Sequence, residues 1–376
     1  MKERQSNIEL LRIVSMFFIV LEHIIMMGTD FFSAPIGNQL MVGNMIFGFT
    51  YVGVNCFVLI TGYFGAEFSW KRLLSLYLVC AFYEVVGFGI AFYYGDVIWD
   101  RTALSYMLFP LSHSSNWFVR CYVCLLFLLP LINAGLNNLD KKGFTYVLVL
   151  LVILNLYFGW FHKQDDFNAT GYTTSQLVFV YVIGRYISRF IDIEKLRSRR
   201  MYILAIWFVS SLLWGGLQNI NNIIHIIPHW NGWAYNNPVL LISAIALFLY
   251  FCTLDTKPSH FVNAIAAGMF SVFLIHMNRY LGSYLYHGVH DVVYSEFFND
   301  TLWSQVVVLI VTSALVLLGC TIIDIPRAFL HKRILCQYDT ILLHTHTHTH
   351  THTHTHMGAK PRNDKNSIAK KDTAET

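Results

Sequence analysis

The sequence predicts an all-α, polytopic membrane bundle of about ten transmembrane helices, with its N- and C-termini on the cytoplasmic side. Three observations lead there. Hydrophobic residues are 55% of the 376-residue chain and charged residues only 13%, with a mean hydropathy of +0.49, an apolar excess foreign to a water-soluble domain. Apolar runs of spanning length recur along the whole chain. The segments between them alternate between rich and poor in Lys and Arg.

The runs fall at 7–27, 43–63, 73–94, 116–136, 144–161, 173–190, 201–217, 238–254, 262–280 and 303–323. The first carries Arg12 and Glu22 and continues without a small-residue cleavage site, so it is expected to be a retained helix and not a signal peptide. With the N-terminus inside, the cytoplasmic segments hold Lys2 and Arg4, Lys71 and Arg72, Lys141 and Lys142, the cluster from Arg189 to Arg200, Lys257, and Arg327 to Arg333. The outer loops hold only Arg101, Lys163 and Arg279, which supports an even helix count and inward-facing termini. Thirty Phe, 21 Tyr and 9 Trp suit a chain that fills a bilayer and anchors at its interfaces.

Two regions follow: an integral membrane domain at 1–335 and a low-complexity tail at 336–376, expected to be disordered. In that tail His and Thr alternate from His344 to His356. Such tracts bind metals in some proteins, but a CA dinucleotide repeat read in triplets encodes His-Thr without selection on the peptide, and no metal site is assigned. Cys121 and Cys124 lie in an apolar run with no further ligands in view; they read as packing residues.

Ionisable groups inside spans cost several kcal/mol unless they face a polar cavity. Here they are Arg12, Glu22, His23, Glu84, Arg120, Arg185 and His276. Taken singly, Glu84 and Arg185 read as hydrogen-bonding residues that fix helix packing. Arg12 and His23 are eleven residues apart, which is about 20° from three full turns, so they share a face and stand about 16.5 Å apart along the helix. Glu22 points about 100° away from His23 and cannot orient it, so another group must hold the imidazole. His276 and Arg120 come to a similar depth on other helices, and with His23 they are expected to line one outward-opening cavity. Lys71 and Arg72, beside Trp70, admit two readings: a nucleotide-binding entrance or ordinary inside-facing charge.

These residues resemble the acyltransferase family 3 membrane O-acyltransferases that modify bacterial surface glycans, over nearly all of 6–333. The stretch Asn7 to Arg12 through Leu21-Glu-His23 is similar to the family's Arg-x10-His signature. Gly62-Tyr63, the basic pair Lys71-Arg72 (without a second arginine at a three-residue offset), Asn116-Trp117-Phe118 with Tyr122 and Pro130, Gly184-Arg185, and Ser271 to His276 resemble later family patterns in order.

The resemblance implies a plasma-membrane enzyme of cell-envelope polysaccharide O-acetylation. Acyl-CoA, usually acetyl-CoA, would be a co-substrate from the cytoplasm, the acceptor a saccharide hydroxyl on the other side, and no cofactor permanently bound. His23 would be the general base or the site of an acyl-His intermediate, and Arg12 would contact the phosphopantetheine arm. Arg120, Asn116 or Tyr122 would stabilise the oxyanion, with Lys71, Arg72, Trp117 and His276 as further binding positions. Nothing points to a nucleic-acid partner, and the oligomeric state is left open. The rival reading is a transporter or channel with intramembrane charges along a solute path.

Overall fold

The long apolar stretches form helices, those holding Pro130 and Pro326 included, and several of the helices start at a side-chain cap. A computed structural model of the protein describes residues 4–33, 36–113, 116–162, 167–168, 170–224, 232–298 and 301–355. The helices are α1 (Ser6–Met27), α2 (Asn38–Thr50), α3 (Gly53–Tyr63), α4 (Trp70–Tyr94), α5 (Arg101–Leu108), α6 (Trp117–Asn137) and α7 (Lys141–Leu154), the last continued by a π-helical turn at Asn155–Phe161. Then come α8 (Thr174–Phe190), α9 (Ile193–Arg197), α10 (Arg200–Ile224), α11 (Pro238–Cys252), α12 (His260–Ala267), α13 (Met269–His276), α14 (Gly282–Val293) and α15 (Leu302–Thr355). No strand occurs among the described residues. Ser69, Asp100, Asp140, Thr173 and Ser259 each accept a hydrogen bond from the backbone N–H three residues on, closing the first turns of α4, α5, α7, α8 and α12.

Each of the ten expected runs lies on helix, but among the described residues seven helices are long and apolar enough to cross a membrane. The runs at 238–254 and 262–280 give shorter apolar helices, and α8 spans 17 residues that include Gln176, Arg185 and Arg189. The second run still counts as one span, Asn38–Tyr63, although Tyr51 and Val52 interrupt its helix, and the ninth is bent at Gly268 between α12 and α13. Short helices α5 and α14 occupy segments expected to be loops.

The residues divide into two units, Met1–Ala328 and Phe329–Thr376. In the second, helix extends through Thr355, so the first part of the segment expected to lack structure is helical; no Gly or Pro from Arg327 onward breaks it before that point. Residues 356–376 lie outside the described residues.

Within the first unit α1 is central, packing against α2, α3, α11, α12, α13 and α14. Its start is tied down by polar side chains. Asn7 donates to the Phe251 carbonyl at the end of α11 (3.0 Å), while Ser6 Oγ donates to Asn263 Oδ1 (3.1 Å) and accepts from the Ser259 N–H (2.8 Å). On the other side of the bundle, α15 is clamped by a buried pair: Arg327 donates twice to Asp324 (2.7 and 2.8 Å), Tyr83 of α4 donates to Asp324 (2.5 Å), and Arg327 also reaches Ser271 of α13 (3.3 Å). A third polar cluster fixes the loop before α11. Asn55 and Gln176 both donate to the Tyr235 carbonyl (3.1 and 2.9 Å).

Candidate active site

The face of α1 that carries Arg12 and His23 borders a cavity of about 880 Å³. Gln5, Glu9, Arg12, Met16, Ile19 and His23 line it at intervals of four and three residues, one stripe of an α-helix. From Gln5 to His23 that stripe rises about 27 Å, close to the thickness of a bilayer's hydrocarbon core. The rest of the wall comes from α3, Leu76 of α4, the start of α6, α8, the loop bearing Tyr235, and α12 with α13.

The two ends differ. Among the described residues, Arg4, Arg12 and Arg185 line the cavity together with a single carboxylate, Glu9. Arg12 Nε lies 3.5 Å from Glu9 Oε2 without forming a hydrogen bond. The middle is apolar, with Met16, Ile19, Val54, Phe57 and Phe273 among the lining residues.

At the far end His23 is held by the group that the helix geometry called for. His23 Nδ1 lies 3.0 Å from His276 Nε2, and His276 Nδ1 lies 2.6 Å from the Val272 carbonyl oxygen. A carbonyl only accepts, so His276 carries its proton on Nδ1. With both rings neutral, His276 Nε2 is then the acceptor and His23 Nδ1 the donor. That chain fixes the tautomer of His23 and leaves Nε2 as its lone-pair nitrogen, on a ring that is half-buried because it borders the cavity. His276 itself is buried behind it.

Asn116, Trp117 and Tyr122, at the start of α6, line the same cavity. Trp117 packs edge-on to Tyr172 (4.7 Å between ring centroids) and against Tyr235 (5.3 Å), and Tyr122 stacks on Phe118 (5.7 Å). Of the expected site residues the structure thus brings together His23, His276, Arg12, Asn116, Trp117 and Tyr122. Arg120 is a correction: it is exposed and does not line the cavity, because a shared depth says nothing of the direction in which α6 turns the side chain. Lys71 and Arg72 are also outside the lining. They sit in the first turn of α4, where Arg72 is exposed and donates to the Glu67 carbonyl, and the residue of α4 that reaches the cavity is Leu76.

Sequence reasoning missed Arg4, Glu9, Arg185 and Tyr235. Glu9 carried a signal, since it lies one turn before Arg12 on the same face. Arg185 was read as a packing residue and instead lines the cavity. Glu84 does not line the cavity; it lies 3.3 Å from Arg279 Nε as an ion pair, without the hydrogen bond expected of it.

A multi-pass helical membrane protein, built around a cavity with arginines at one end and a fixed imidazole at the other, is the class that this fold and site define. The family model of acyltransferase family 3, described as an acyltransferase domain, matches residues 5–325. The chain belongs to that family and is a membrane acyltransferase. Comparison with curated proteins and with solved structures gave no significant match.

Proposed function

We propose that the protein is an O-acetyltransferase of the plasma membrane, moving an acetyl group from acetyl-CoA to a hydroxyl of a saccharide on the outer side. The observation that carries this reading is one cavity bordered by both Arg12 and His23, with the lone pair of His23 on Nε2. The positive-inside pattern puts the Arg4 and Arg12 end of α1 on the cytoplasmic side, where acetyl-CoA is found. Bound with its anionic end there, the donor would extend its thioester along the apolar stretch towards His23.

His23 Nε2 takes the proton of the acceptor hydroxyl while the oxygen attacks the thioester carbonyl carbon. Asn116 and Tyr122, which border the cavity, are the candidates to donate to the oxyanion. When the tetrahedral adduct collapses, the carbon–sulfur bond breaks and the leaving thiolate takes the proton from His23. His276 stays neutral as the acceptor for His23 Nδ1–H and keeps the ring turned to the cavity.

The test is transfer of labelled acetyl from acetyl-CoA to a cell-surface glycan by the purified protein in liposomes. An alkali-labile O-acetyl ester on the glycan is the expected product. Label retained on the protein without acceptor would replace the direct route by an acyl-His intermediate, and no labelled glycan would overturn the proposal.

A further inference from the structure

Arg185 occupies a slot that other residues build for it. The slot begins where α3 and α8 cross: a Cβ on Gly62 would lie 2.2 Å from the Tyr181 carbonyl oxygen, and one on Gly184 would lie 2.5 Å from that of Leu59, so only glycines allow the two backbones so close. Arg185 follows Gly184 directly. Helix α3 then ends on Gly65, at φ +60°, with Gly65 N–H bonded to the Gly62 carbonyl and Ala66 N–H to that of Thr61, a left-handed helix end. A Cβ on Gly65 would fall 2.2 Å from Arg185 Nη1, so the guanidinium lies against bare backbone.

Two parallel pairs from α6 and α8 hold this corner. Tyr181 Oη has its one proton within reach of Asn133 Oδ1 (2.7 Å) and, at 3.1 Å, of the Ala66 carbonyl, to which Asn133 Nδ2 donates (2.9 Å); one turn further along each helix, Arg185 Nη2 donates to Asn137 Oδ1 (3.0 Å). Asn137 is neutral. Among the described residues no carboxylate pairs with Arg185, and its Nε is buried without a partner. A guanidinium offers five N–H donors in a rigid fork suited to phosphate, and one amide oxygen leaves most of them unused. The cavity it borders also carries Arg4 and Arg12 against Glu9 alone, an excess of two positive charges.

We infer that Arg185, seated on Gly65 and steadied by Asn137, is a binding residue for the phosphate-bearing end of the donor. This rests on the acetyl-CoA reading above and assigns to Arg185 the role that the sequence suggested for Lys71 and Arg72. The glycine seat makes the arginine's position independent of any ligand. Phosphate oxygens would complete the donors that the protein leaves open.

The test compares two donors that differ in phosphate: acetyl-CoA and acetyl-pantetheine, which carries the same thioester and no phosphate. Arg185→Gln is expected to raise KM for acetyl-CoA about tenfold or more, the loss of one charge-assisted contact, with kcat nearly unchanged and KM for acetyl-pantetheine unaffected. Arg185→Lys keeps the charge without the fork and should fall between. Gly65→Ala, which displaces the guanidinium and leaves all charges in place, should shift KM for acetyl-CoA in the same direction. Equal effects on both donors, or no effect on acetyl-CoA, would overturn this assignment while leaving acyl transfer standing. A wild-type protein that uses neither donor would overturn both. If Arg185→Gln is not recovered folded, the comparison of Arg185→Lys with Gly65→Ala decides on the same criterion.

Discussion

Two polar groups lie inside the same bundle, one buried and one half-buried along the cavity, and they are built differently. Around Asp324 the polar atoms satisfy one another: Arg327 binds both carboxylate oxygens, Tyr83 adds a third bond, Ser271 meets the guanidinium, and none of the buried side-chain atoms of these residues lacks a partner. Along the cavity the opposite holds. Arg12 and Arg185 each keep a buried Nε without a hydrogen bond, and among the described residues His23 makes its one side-chain hydrogen bond through Nδ1. A closed network in a low-dielectric interior has nothing left to offer a ligand, whereas an open one has been left incomplete at a cost in stability. The first joins α15 to α4 and α13; the second is where substrates would complete the bonding.

If this division is right, substitutions in the two groups separate stability from activity. The largest effect is expected for His23→Ala, which should lower acetyl transfer by about 10²–10⁴-fold at unchanged membrane abundance and unchanged melting in detergent. Loss of folded protein would merge the two groups and break the comparison. Asp324→Ala should do the reverse, destabilising the protein by about 3–5 kcal/mol because it strands the buried Arg327 charge. Melting would report that loss, and transfer per folded molecule should stay near wild type. His276→Ala should cost about 10–100-fold in transfer, the range for a residue that orients another, with little change in melting. Gln at the same position retains an oxygen that accepts from His23 Nδ1–H and should recover part of the rate. The smallest effect is expected for truncation after Gln337, which removes no residue of either group; insertion, melting and transfer should all match the full-length chain, with or without a chelator.

Much of this was legible in the sequence because the bilayer imposes simple rules. Apolar length located α1, α4, α6 and α11 to within a few residues, and the rise and twist of a helix put Arg12 and His23 on one face and required a partner for the imidazole. Hydropathy averages over a window, so it passed over the break at Tyr51 and Val52, the π-helical turn after Leu154 and the short helix α14. Depth without azimuth could not tell that His276 stands behind His23, bonded to it and outside the cavity lining, or that Arg120 faces away. Arg185 was misread for a related reason: an isolated arginine on an apolar helix carries no sign of the glycine seat, which comes from Gly65 in the turn after α3. Tyr235 lies in a loop, where its carbonyl accepts from the side-chain amides of Asn55 and Gln176, an arrangement without a periodic trace.

The stripe on α1 also limits how such a protein can evolve. Side chains along it can be exchanged one at a time, but the distance between Arg12 and His23 is counted in whole residues of a continuous helix. One residue inserted between them would turn His23 by about 100° off the cavity and move it only about 1.5 Å. Seven inserted residues would bring it back near the same face, about 10.5 Å further away. The separation is therefore quantised by the helix, and a lineage adapting to a longer or shorter donor arm is led to change where the arm's ends are held while the eleven-residue interval stays fixed.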